Sequence, residues 1–362
     1  MFYYLSQLKE FFIGFNIFRY ITFRAAMAAV TTFLLCMVLG PMLIRYFHER
    51  QIREKAKRDD CPDLDRFHHS KEGTPTMGGI FIVGSIVLSV LLWADLSNRY
   101  VLLTLLACVF LAILGFWDDY LKLIRKGKQR GLRARFKFYM ELLLGLGIGA
   151  YLFVGPDQMT TLDVPFFKNL VITLGLFYIP FVALVIVGTT NAVNLTDGLD
   201  GLAIGCVMIV SLTLGILSYV AGHLKFSEYL FIPYIANAGE LTVICAAILG
   251  ASLGFLWFNC HPASVFMGDV GSLALGGSLG TIAVLIKKEL LLGLLGGVFV
   301  IEALSVIIQV ISFKTRRKRV FKMSPLHHHL QLSGWHESKI IIRFWIIGII
   351  LALLTLTTLK IR

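Results

Sequence analysis

Ten stretches of this chain run with almost no charge, and no other feature limits its fold so tightly. Eight contain no Asp, Glu, Lys or Arg: 25–44, 76–94, 101–117, 169–187, 201–221, 241–258, 270–286 and 344–359. Two more, 138–155 and 290–313, are each interrupted by one acid, Glu141 and Glu302. A helix that crosses a bilayer needs ~20 predominantly apolar residues. The 57% hydrophobic content exceeds what a soluble domain carries. The reading is an all-α polytopic membrane protein of about ten transmembrane helices, forming a single integral membrane domain over 1–362. No cleavable signal peptide is expected, and the aromatic segment 11–18, within an N-terminal segment 1–24, reads as interfacial.

The net charge of +12 is unevenly placed. Eight Lys or Arg fall in 45–71, eight in 122–137 and eight in 314–343. Excess Lys and Arg marks the cytoplasmic side of a membrane. These are loops 1, 3 and 9 of a ten-span chain, so both termini are expected outside. Loops 5 and 7 then also face the cytoplasm, although they hold no Lys or Arg. The cytoplasmic segments are about 45–75, 118–137, 188–200, 259–271 and 314–343, and the polar motifs lie in them. The six cysteines are scattered without a C-x-x-C pair, which suggests neither a zinc nor a redox site. No phosphate-binding G-x-x-x-x-G-K-[ST] loop or dinucleotide fingerprint is present, and a nucleic-acid partner is not expected.

Asp118 and Asp119 end the third span side by side. Adjacent carboxylates repel and are best tolerated beside a cation, and Mg²⁺ prefers one or two carboxylates plus substrate phosphates. The stretch 191–200 supplies Asn191, Asn194, Asp197 and Asp200, more than a capped turn between spans requires. Asp269 sits in a glycine-flanked turn before the eighth span, with Phe266 available to stack on a base and Asn259 nearby. Lys71 opens the second span as a candidate phosphate partner. Lys137 and Glu141 have the i,i+4 spacing of a simple salt bridge. His327, His328 and His329 follow a basic run; consecutive positions cannot all face one ion on a helix, but imidazoles can stabilise charge on a transferring phosphate. Glu302 is a deeper acid within a span, a functional candidate by default with no role assigned. The glycines at 145–149 and 276–280 read as helix-packing faces. Acids and lysines at one membrane face suit Mg²⁺-dependent phosphoryl chemistry between a soluble and a lipid substrate.

Five segments in order carry a family resemblance over essentially the whole chain: 73–79 (GTPTMGG), 118–120 (DDY), 191–201 (NAVNLTDGLDG), 266–272 (FMGDVGS) and 325–329 (PLHHH). They resemble the polyprenyl-phosphate N-acetylhexosamine-1-phosphate transferase superfamily, and within it the phospho-N-acetylmuramoyl-pentapeptide transferases. The resemblance implies a multi-pass protein of the bacterial inner membrane. It implies that undecaprenyl phosphate attacks UDP-N-acetylmuramoyl-pentapeptide, giving lipid I and UMP in peptidoglycan biosynthesis. By motif, Asp269, Asp118 and Asp119 bind Mg²⁺ or act in catalysis, Asp269 alternatively as nucleophile and one of the pair as base. Lys71 and His327–His329 join the catalytic group. Lys122, Lys137, Asn191, Asn194 and Asp197 bind substrate, and Asp200, Asn259 and Phe266 match the uridine pocket. A phosphate monoester is largely dianionic at pH 7, so direct attack needs little from a base and is preferred to an aspartyl intermediate. The resemblance leaves a homodimer open. One departure is Gln331, where the family often carries Glu.

The nearest alternative is an enzyme transferring N-acetylglucosamine-1-phosphate to the same lipid, which segments 74–79 and 327–329 disfavour. A transporter is the other class. Its sites lie near the bilayer midplane, whereas here the acids cluster at span ends.

Overall fold

The computed structural model describes residues 1–50, 52, 73–125, 131–155, 158–167 and 170–360. Lys71 lies outside the described residues. The helices in chain order are α1 (Ile21–Glu49), α2 (Gly79–Trp93), α3 (Arg99–Ile124), α4 (Ala134–Val154), α5 (Tyr178–Thr196), α6 (Leu202–Ala221), α7 (Leu224–Leu230), α8 (Leu241–Asn259), α9 (Gly268–Leu285), α10 (Glu289–Leu295), α11 (Gly297–Arg316), α12 (Leu326–Gln331) and α13 (Glu337–Thr357). Among the described residues, nine helical segments are long and apolar enough to cross a membrane.

The tenth expected span is the shorter α2. At 1.5 Å per residue its 15 residues reach about 22 Å. The stretch expected to be helical from 76 begins only at Gly79. Pro75 disfavours helix before it, and Met77 takes a left-handed φ of 71°. Backbone pairing across the chain replaces the missing turn: Phe266 N–H donates to Pro75 O, Gly78 N–H to Phe266 O and Gly79 N–H to Met267 O, each at 2.8 Å. Non-helical backbone is tolerated at a membrane boundary when the protein itself satisfies it.

Helix α9 is the central post. Val270–Leu285 is buried along its length, and α9 packs against α2, α3 and α5. Small residues allow the close approach: a Cβ on Gly276 would come within 2.8 Å of Thr190 Cα on α5. Likewise a Cβ on Gly145 of α4 would come within 2.7 Å of Ala183 Cα on α5. Helices α1, α11 and α13 lie outside and expose apolar side chains, as a lipid-facing surface requires. Residues Phe2–Leu8 and Ile13–Arg19 form two 3₁₀ turns, and Phe2 and Phe18 stack on Trp93 at the far end of α2.

Asp118 and Asp119 do not end α3, which continues to Ile124. Asn191 and Asn194 lie within the last turns of α5, not in a loop. The opposite end of the bundle carries a short two-stranded element within the described residues 158–167 and 170–174. There β1 (Thr161–Asp163) pairs antiparallel with β2 (Val171–Thr173). Lys288 pins this hairpin through Asp163 at 2.7 Å, and Lys287 through Thr161 at 2.8 Å.

Candidate active site

The end of the bundle where α3, α5, α8 and α11 finish and α4, α6, α9 and α13 begin gathers most of the polar side chains singled out above. Gly268, at a φ of 74°, turns the chain into α9 and sets Asp269 in its first turn. Gly115 lets that turn approach α3, since a Cβ there would lie within 2.7 Å of Val270 N. One oxygen from each of Asp118, Asp119 and Asp269 then falls within 4.8 Å of the others.

Successive helix positions diverge, so the two neighbouring aspartates accept from separate backbone N–H groups. Asp119 Oδ2 accepts Val270 N–H at 3.2 Å, an anion at the N-terminus of α9. Asp118 Oδ1 accepts Leu132 N–H at 2.6 Å and so fixes the entry to α4. Two lysines close the cluster. Lys122 Nζ lies 2.9 Å from Asp118, 3.2 Å from Asp119 and 3.1 Å from Asp269. Lys137 Nζ lies 2.5 Å from Asp269 and 3.4 Å from Asp118. The expected Lys137–Glu141 salt bridge is therefore not what Lys137 makes. Its ammonium turns to the aspartates, and Glu141 accepts from Asn191 Nδ2 instead.

Three carboxylates against two ammoniums leave one negative charge over. The donors facing the centre are all oxygen, the set that a hard divalent cation prefers. The lysine ammoniums already lie among these oxygens, as cations in their own right. These residues fit Mg²⁺.

A second group lies at the turn between α5 and α6. Gly201, at a φ of 79°, ends the turn, and its N–H donates to Asn259 Oδ1 at 2.9 Å. Asn259 Nδ2 donates to Val265 O at 2.8 Å, so both ends of this amide brace backbone. Asp200 N–H donates to Glu337 Oε1 at 3.0 Å; Asp200 Oδ2 accepts Ala263 N–H at 3.1 Å and lies 3.2 Å from His261 Nδ1. Phe266 is half-buried beside this turn, on the strand-like pairing with Pro75. Asp197 caps α5, its N–H donating to Asn194 O at 3.3 Å, and it connects the two groups along the chain.

The three histidines part company on α12. His327 and His328 are buried; His329 is half-buried and accepts Lys322 N–H at Nδ1, 3.1 Å away. His328 Nδ1 lies 2.9 Å from Gln331 Oε1. His327 packs against Gly198 in the α5–α6 turn. Sequence reasoning missed Ser272, His261 and Glu337. Ser272 closes the FMGDVGS segment, but nothing in that segment points to a role for it. Glu337 and His261 give no local signal, because each matters only through a partner far along the chain.

A bundle of apolar helices with an aspartate–lysine cluster at one end defines the class, a polytopic membrane transferase. The Glycosyl transferase family 4 model matches residues 101–287, which include Asp118, Asp119, Asn194 and Asp269. The phospho-N-acetylmuramoyl-pentapeptide-transferase signature 1 matches residues 71–83. A phospho-N-acetylmuramoyl-pentapeptide-transferase of Desulforapulum autotrophicum is 54% identical over 100% of both chains. Proteins of the same name from Thermodesulfovibrio yellowstonii and Pelobacter propionicus are 51% and 55% identical, over 99% and 96% of both chains. The chain belongs to the phospho-N-acetylmuramoyl-pentapeptide-transferase family, and is a multi-pass membrane phosphoglycosyl transferase.

Proposed function

We propose that the protein transfers phospho-N-acetylmuramoyl-pentapeptide from its UDP-activated form to undecaprenyl phosphate, releasing UMP and forming lipid I. The observation that carries this is the meeting of Asp118, Asp119, Asp269, Lys122 and Lys137 at the ends of membrane helices. There a water-soluble diphosphate and a lipid phosphate can both arrive. The excess of Lys and Arg in the basic loops supports a cytoplasmic face for this site and both termini outside, and the family supports the bacterial inner membrane. The outer apolar faces suit lipid, and leave room for a homodimer.

In this reading an oxygen of undecaprenyl phosphate attacks the β-phosphorus of the nucleotide sugar. The bond to the UMP oxygen breaks, and UMP carries the charge away. Lys122 and Lys137 bind the diphosphate oxygens and stabilise charge as it develops. Asp118, Asp119 and Asp269 hold Mg²⁺, which when bound neutralises diphosphate charge. Asn194 keeps Asp269 in place. The turn bearing Asp197 and Asp200, with Phe266, forms the uridine side, where Asn259 acts as a brace for the turn. The histidines of α12 lie beside that turn and stabilise phosphate charge, and Lys71 contributes a further cation.

The test is an assay of purified protein with undecaprenyl phosphate and either UDP-N-acetylmuramoyl-pentapeptide or UDP-N-acetylglucosamine. Lipid product is expected from the first donor. Product from the second donor alone would overturn the substrate assignment.

A further inference from the structure

Glu302 has no part in the reaction as set out, yet it is placed with care. It is 0% exposed, in the second turn of α11. Its Oε2 lies 3.1 Å from Nδ1 of His327, also 0% exposed, and accepts the His327 backbone N–H at 3.4 Å. The side-chain contact is an ion-pair approach, not an aligned hydrogen bond. Further along the same helix, Gln309 grips the returning chain: its Oε1 accepts Val320 and Phe321 N–H, and its Nε2 donates to Phe321 O, all at 3.0 Å. Ser312 Oγ donates to Lys318 O at 2.9 Å. Helix α11 thus offers a polar face along which the segment leading to the histidines is laid.

The three imidazoles are not equivalent. His328 faces an amide oxygen and His329 a backbone N–H, whereas His327 faces a carboxylate. Glu302 Oε2 faces Nδ1 of His327, and the opposite edge of the ring meets the α5–α6 turn. A Cβ on Gly198 would come within 2.9 Å of Cε1 of this ring. Gly198 stands between Asp197 and Asp200, so the ring position sets the turn that carries both acids.

We propose that Glu302 is a positioning residue, acting through His327 on the Asp197–Asp200 turn and so on how tightly the nucleotide sugar is held. This rests on the reading that the turn and the histidines belong to the substrate site. Removing the carboxylate takes away the group that faces the Nδ1 edge of the ring, and the ring is then free to move away from Gly198.

The test is steady-state kinetics on purified Glu302→Gln, Glu302→Asp, His327→Asn and the double variant Glu302→Gln/His327→Asn. The varied substrate is UDP-N-acetylmuramoyl-pentapeptide, with undecaprenyl phosphate saturating. Glu302→Gln is expected to raise KM for the nucleotide sugar about tenfold, with kcat changed far less, and the double variant to be no worse than His327→Asn. Glu302→Asp, which keeps the charge, should recover part of the loss. Losses that multiply in the double variant would overturn the coupling, as would a Glu302→Gln that merely lowers the active fraction at unchanged KM. If His327→Asn has wild-type kinetics, the assignment of His327 to the site falls with it. If His327→Asn is impaired and Glu302→Gln is not, only the coupling falls.

Discussion

Asn194 Nδ2 donates to Asp269 Oδ1 at 2.9 Å and, on the same nitrogen, to Ser272 Oγ at 2.8 Å. The amide on α5 therefore holds one oxygen of Asp269 from one side, while Lys137 on α4 takes the other oxygen at 2.5 Å. Three helices fix a carboxylate that would otherwise rotate freely, which is the kind of preorganisation a charge-stabilising site needs. Asn194→Ala is expected to cut turnover about 10–100-fold while leaving the melting temperature in detergent within a few degrees. Wild-type turnover would show that Asp269 does not depend on this amide.

Asp269 is also where the metal assignment is most exposed to test. Mg²⁺ that binds only the folded protein raises its stability, by about 2.7 kcal/mol at a hundred times its Kd. Wild-type protein should melt higher on adding MgCl₂, and Asp269→Ala should not. EDTA should stop lipid formation and excess Mg²⁺ restore it. A melting temperature indifferent to Mg²⁺ in the wild type would remove the three aspartates as ligands.

These two residues also show what could be read without coordinates. Asp269 and Asn194 stand in polar motifs beside uncharged runs, and the period of those runs alone brings both to one end of the bundle. Ten spans were legible for the same reason, because a membrane leaves few other ways to bury a backbone. What could not be read was which cation meets which acid. Lys137 has Glu141 one turn away in sequence, and only the packing of α9 against α3 brings Asp269 close enough to win it. The α2 boundary is not legible because the uncharged residues 76–78 suit either the first turn of a helix or an irregular entry to it. Pairing with 265–267, nearly two hundred positions on, decides between them. Glu337 on Asp200 N–H was invisible for the same reason of distance along the chain.

The packing of α9 predicts a cost for filling its glycine face. A side chain at Gly276 meets Thr190 Cα at 2.8 Å, which is backbone and cannot rotate aside. Overpacking of this kind costs about 1–3 kcal/mol. Gly276→Val should lower the melting temperature and displace α5, with it Asn194, so turnover should fall as well. By contrast Gly147→Ala, where a Cβ meets nothing within 4 Å, should melt and turn over as wild type. Equal behaviour of the two variants would contradict α5–α9 contact through this face.

At the far end of the bundle, Glu289 predicts a pH dependence of stability. It heads α10 beneath the hairpin, and its Oε1 accepts the Tyr178 hydroxyl at 2.7 Å while Oε2 is buried without a hydrogen-bond partner. Burial pushes its carboxyl up to about 7, from an ordinary value of 4.5. Between those two values the folded chain keeps a proton that the unfolded chain has released. Stability linked to this group is therefore fully present below about pH 4.5, falls as pH rises towards 7, and stays lost above it. Glu289→Gln is neutral throughout, so it should match wild type near pH 5 and exceed it at pH 8, by up to about 3 kcal/mol. Melting temperatures of both proteins at the two pH values decide the matter: a difference that does not change with pH would mean that Glu289 is ionised in the folded protein at both.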